Sequence, residues 1–148
     1  MLIYLGADHR GFQLKESLKK YLKESGYEVV DVGNANYDQA DDYPDFAALV
    51  GRKISLDPDN SKGILICGSG VGVDVAANKF KNVYSALAIN SNQAMASRND
   101  DNANVLSLAA DYLNEEEAKK IVSVWLQTPF SGEARHSRRL EKIKKLEG

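Results

Sequence analysis

Residues 63–72 read GILICGSGVG. The first five, Gly63–Cys67, make a continuous apolar run, the pattern of a strand covered on both faces of its sheet. The glycines that follow turn the chain tightly and lead into a short helix running to about Phe80. A buried strand, a glycine loop and a helix together are the repeating unit of a parallel sheet.

Outward from this segment the alternation continues in both directions. Leu2–Leu5 is a short apolar strand closed by Gly6, and Phe12 to Ser25 places Leu14, Leu18, Tyr21 and Leu22 at helical spacing. Gly26 ends that helix, Tyr27–Val32 reads as the next strand, and Asn34–Asp42 is a polar loop. Pro44 opens a helix through about Ser55 that is expected to bury Phe46, Leu49, Val50 and Ile54. Beyond the glycine loop, Val83–Ile89 and Asn104–Leu108 read as strands around a helix at Gln93–Arg98. Asn114 with Glu115, Glu116 and Glu117 resembles a helix N-cap, followed by the apolar stripe Ala118, Ile121, Val122 and Trp125. Thr128-Pro129 stops that helix, and a basic one runs from about Arg135 to Leu146. The expectation is an open, doubly wound α/β fold: a mostly parallel five-stranded sheet, helices on both faces and a C-terminal helix.

Composition narrows the function classes. A chain of 148 residues, 43% hydrophobic and 27% charged, suggests one globular domain over 1–148. A formal charge of −2 gives no reason to expect nucleic acid or membrane partners. No apolar run approaches the ~18 residues of a membrane span, and no basic leader precedes the first strand, so the cytoplasm is the default compartment. Cys67 is the only cysteine and His9 and His136 the only histidines, which leaves little for a disulfide or a zinc site.

Ligands of such sheets bind beyond the carboxyl ends of the strands. Three segments fall there. Gly6-Ala7-Asp8-His9-Arg10-Gly11 sets a carboxylate and an imidazole past the first strand, although Asp8 reads equally as an N-cap. Cys67-Gly68-Ser69-Gly70-Val71-Gly72 exposes backbone N–H groups as a nest for an anion or oxyanion, and such a junction favours a thiol as its thiolate. It lacks both a Walker lysine and the dinucleotide-binding glycine spacing. Arg135 and Arg139, four apart on one helical face, could clamp a phosphate or merely solvate the helix.

Together these stretches resemble the family of type B ribose-5-phosphate isomerases and galactose-6-phosphate isomerase subunits. The matching segments are GADHRGFQLK (6–15), DYPDFA (42–47), GILICGSGVG (63–72), AANKF (76–80), NANVL (102–106) and ARHSRR (134–139), in the family's order. The resemblance implies a Rossmann-like sheet and an aldose–ketose isomerase interconverting ribose 5-phosphate and ribulose 5-phosphate. It makes Cys67 the base that moves a proton between C1 and C2. Backbone amides of Gly68, Ser69, Gly70, Val71 and Gly72 would hold the enediolate, and Asp8 the sugar hydroxyls. Tyr43 would line the pocket, with His9, Arg135 and Arg139 on the phosphate. It further implies no metal or organic cofactor, and a homodimer or dimer of dimers with the site between subunits.

The family pattern is broken at three places. Asp100 stands where the isomerases usually have the ring-opening histidine, so it takes the catalytic acid's position here. Asp101 replaces a substrate-contacting asparagine, and Asp111 an arginine of the phosphate site. All three belong to a segment expected to act across the subunit interface. GEARH at 132–136 carries one residue more than the family's usual GGRH. The alternatives are therefore an isomerase of another sugar phosphate, such as a hexose 6-phosphate or tetrose phosphate, or a non-catalytic sugar-phosphate-binding or partner subunit.

Overall fold

The computed structural model describes residues 1–148. In chain order the elements are β1 (Leu2–Ala7), a 3-10 turn (His9–Gly11), α1 (Phe12–Glu24), β2 (Glu28–Gly33), α2 (Tyr43–Leu56) and β3 (Ser61–Cys67). Then follow α3 (Val71–Ala77), β4 (Ser85–Leu87), α4 (Ser91–Asp101), β5 (Val105–Ala109), α5 (Glu115–Gln127) and α6 (Ala134–Leu146). The five strands form one sheet in the order β2-β1-β3-β5-β4, with every pairing parallel.

The period-2 alternation of β1, β3 and β5 divides the core between two faces. Ile3, Leu5, Ile64, Ile66, Leu106 and Leu108 meet α1, α4 and α5 on one side, with Trp125 fully buried among them. Leu65, Cys67 and Val105 meet α2 and α3 on the other. The sheet is thus doubly wound. The chain passes outward from β1 to β2, then returns to the opposite side of β1 for β3. That reversal opens a crevice between the carboxyl ends of β1 and β3, where Ala7 pairs with Ile66.

Helix boundaries follow local chemistry. Asn114 and Glu117 form a complete capping box at the start of α5. Proline occupies the first turn of α2, where its missing N–H costs nothing. Leu49 differs from expectation: α2 buries Ala47, Val50, Gly51 and Ile54, and Leu49 points away from that stripe, 42% exposed. The helix after the glycine loop stops at Ala77 rather than Phe80, and β4 has three residues instead of seven. Lys15, by its polarity a surface residue, is wholly buried, its Nζ donating to Asp31 at 2.6 Å and Glu16 at 2.9 Å. No helix is long and apolar enough to cross a membrane.

Candidate active site

The crevice at the switch point widens into a cavity of about 600 Å³. One wall is the turn after β1. Asp8 is buried, and its Oδ1 accepts the N–H groups of Arg10 (3.0 Å) and Gly11 (3.2 Å). The capping reading of Asp8 is therefore correct for this oxygen, and Oδ2 has no protein donor. Burial pushes the Asp8 carboxyl above the usual carboxylate range, against the pull of the Gly11 N–H. The turn lies hard against β3: a Cβ on Gly11 would stand 2.6 Å from the carbonyl oxygen of Ile66, so only glycine fits.

His9 is held by a residue read from sequence only as part of a polar loop. Asp41 Oδ1 accepts the backbone N–H of His9 at 2.9 Å and lies 2.8 Å from its Nδ1, while Oδ2 accepts from Asn34 Nδ2 at 2.8 Å. An ionised carboxylate only accepts, so Nδ1 of His9 is the donor in this contact, and Nε2 has no protein partner. Asp8, His9 and Asp41 bring one ligand-type atom each within 4.8 Å of the others. The Oδ1 atoms of both aspartates are already engaged by N–H donors, so the cluster is satisfied as a hydrogen-bonded set.

The opposite wall is the end of β3. Cys67 is 4% exposed and faces the α2/α3 side, and its carbonyl accepts the N–H of Ala110 at 2.9 Å. Gly68, Ser69, Val71 and Gly72 line the cavity with it. Ser69 Oγ accepts the N–H of Val71 at 3.2 Å, so one donor of the nest already has a partner. Gly70 is buried behind the loop, and its left-handed backbone (φ 75°) makes the turn. The Tyr43 ring packs over Gly72, where a Cβ would stand 2.6 Å from Cζ. Behind the loop, burial pushes the Asp74 carboxyl up. Asp74 accepts from Ser85 Oγ at 2.7 Å, and Ser85 lies 2.8 Å from Ser107 Oγ.

The remaining expected site residues stand elsewhere on the chain. Asp100, on α4, accepts from Asn99 Nδ2 at 2.8 Å and lies 3.7 Å from Nε2 of buried His136. Asp101, also on α4, lines a separate cleft with Leu140 and Ile143 of α6. Arg135 is exposed and paired with Glu133 at 2.9 Å, and Arg139 is exposed on the same helix. None of these four lines the cavity of its own chain. The place of Asp111 is different. This residue does not share a place with Asp100 and Asp101, but sits against the glycine loop of its own chain, its N–H donating to Gly68 O at 3.0 Å. There it forms an ion pair with Arg10, a partner that sequence spacing alone could not reveal across 101 positions.

This arrangement matches known proteins over nearly its whole length. The Ribose/Galactose Isomerase family model matches residues 3–143. The probable ribose-5-phosphate isomerase B of Mycoplasma genitalium is 45% identical over 145 residues, 98% of this chain and 95% of that protein. The crystal structure of ribose-5-phosphate isomerase B from the same organism, with bound ribulose-5-phosphate, superposes with a TM-score of 0.96 at 44% identity, covering 99% of this chain and 95% of that one. The isomerase B of Clostridium thermocellum gives 0.94 at 38% identity, covering 99% and 97%. The chain is a member of the ribose/galactose isomerase family of sugar-phosphate isomerases.

Proposed function

We propose that the protein interconverts ribose 5-phosphate and ribulose 5-phosphate through an enediolate, with Cys67 as the base. The observation that carries this reading is the convergence of Cys67, the glycine loop, Asp8 and His9 on one cavity at the switch point. The thiolate of Cys67 takes the C2 proton of the open-chain aldose. The charge that develops on O1 is held by the backbone N–H groups of the 68–72 loop, a contact made only as the charge appears and worth ~3 kcal/mol per donor. Return of the proton from the Cys67 thiol to C1, with the O2 hydroxyl proton passing to O1, gives the ketose and restores the thiolate. Asp8 orients sugar hydroxyls through its free Oδ2, Tyr43 closes the pocket, and His9, with Nδ1 held by Asp41, donates from a protonated Nε2 to the phosphate.

A second copy of the chain completes the site. Asp100, Asp101, Arg135 and Arg139 reach substrate only from the partner of a homodimer or a larger assembly, since in their own chain they lie off the cavity. The activity for which the relatives are named and the ribulose-5-phosphate bound to the M. genitalium protein support ribose 5-phosphate as substrate.

Conversion of ribose 5-phosphate by the purified protein, with Cys67→Ala as control, tests the proposal. Turnover lost in the variant with its melting temperature intact is the expected result. Absence of turnover in the parent would refute ribose 5-phosphate and direct the assay to tetrose phosphates and hexose 6-phosphates.

A further inference from the structure

Arg10 lines the cavity, and the proposed chemistry gives it no task. It is the only lysine or arginine lining the cavity, beside three carboxylates, Asp8, Asp41 and Asp42. A phosphorylated sugar is a dianion, and a lining of that balance repels it unless a cation faces it.

The guanidinium rests against the glycine loop. It lies across Gly68, where a Cβ would stand 2.6 Å from both Cζ and Nε of Arg10 and 2.8 Å from Oδ2 of Asp111. Arg10 Nη2 donates to Asp111 Oδ2, while Nε and Nη1 have no protein acceptor. The pair is open to water, with the Arg10 side chain 57% and the Asp111 side chain 37% exposed. So exposed a pair holds its guanidinium weakly. Phosphate offers the same fork a two-pronged, charge-assisted contact.

We infer that Arg10 is the arginine with which this chain grips the phosphate of its own substrate, resting against Asp111 across Gly68 until the phosphate arrives. The inference rests on the sugar-phosphate reading above. The competing role is a clip, in which the pair only ties the turn after β1 to the end of β5.

Two variants separate the roles, because both break the pair and only one removes the guanidinium. Each is read by steady-state kinetics on ribose 5-phosphate and by thermal-shift titration with inorganic phosphate. Arg10→Gln raises KM ~10-fold or more with kcat nearly unchanged, the loss of a charge-assisted hydrogen bond. Asp111→Asn lowers KM, because it frees the guanidinium and removes a negative charge from beside the phosphate. Equal rises in both variants mark a clip and overturn the inference, as does an unchanged KM in Arg10→Gln. A parent that does not turn over ribose 5-phosphate defeats only the substrate reading, and the phosphate titration then decides. Stabilisation of the parent that is largely lost in Arg10→Gln sustains the inference; equal stabilisation, or none in the parent, overturns it.

Discussion

Substituting Gly70 by alanine tests the anion nest at its turning point. The residue has φ 75°, a conformation that costs an L-residue ~1–2 kcal/mol. The new Cβ would stand 3.0 Å from the carbonyl carbon of Leu108 and 3.1 Å from the nitrogen of Ala109. Both are backbone atoms at the end of β5 and cannot rotate away, whereas Leu87 Cδ1, at 2.5 Å, is a side-chain end that can. Overpacking of this kind adds ~1–2 kcal/mol, for a total of about 2–4 kcal/mol. At ~2–4 °C per kcal/mol for a chain of this size, the melting temperature should fall by about 5–15 °C. The loop must shift to make room, and loss of one well-placed oxyanion donor lowers kcat ~10²–10³-fold. Gly132→Ala supplies the control, since Gly132 has φ 69° and an alanine Cβ there would have nothing within 4 Å. It carries the conformational cost alone and should keep parental turnover. Calorimetry and initial rates well below both melting temperatures read the two effects. If Gly70→Ala melts with Gly132→Ala and keeps its kcat, the loop is not a preorganised nest.

Two further predictions concern groups outside the nest. Burial, reinforced by the charge of Arg98, pushes the Lys62 amine down from 10.5 to about 8. Because the fold prefers the neutral amine, this group's stabilising contribution is complete above pH 10.5 and disappears as pH falls through about 8. Lys62→Met should therefore stabilise the protein at pH 7 by ~1 kcal/mol, after discounting for solvent screening and for loss of the cation packed over Trp125, with the gain vanishing at high pH; denaturant titrations at pH 7 and 10.5 check the sign. Asp41→Asn removes the charge from the acceptor of His9 Nδ1 and should lower kcat/KM ~10-fold or more, the weight of a charge-assisted hydrogen bond. In that variant alkylation of Cys67 should proceed at the parental rate, and a matching loss there would show general disruption of the cavity.

The legible parts of the fold are those where one local signal decides the outcome. The apolar run ending at Cys67 is buried on both faces, as a central parallel strand must be, and Asn114 with Glu117 forms the cap that its spacing announces. Periodicity was less informative where small residues do the packing. Ala47 and Gly51, rather than Leu49, are buried, and at Gly51 the packing is against the segment after α3: a Cβ there would meet the Phe80 ring at 2.5 Å. Lys15 is buried because Asp31, sixteen residues away on β2, neutralises it, and no window of local sequence contains that pairing. The site divides in the same way. Asp8, His9 and Cys67 occupy strand ends and could be found from topology. Asp41 and the Arg10–Asp111 pair depend on long-range contacts that only the folded chain brings together.

Cys67 is proposed to move the proton at the sugar's reacting carbons, and solvent isotope exchange reads that step directly. Ribose 5-phosphate is incubated in deuterium oxide with parent or Cys67→Ala protein, and the C1 and C2 hydrogens are followed by NMR. If Cys67 is the base, deuterium enters sugar carbon positions with the parent, and neither exchange nor ketose formation rises above background with the variant. Exchange and conversion at parental rates in Cys67→Ala would contradict that role, and would place the base on another residue of the cavity.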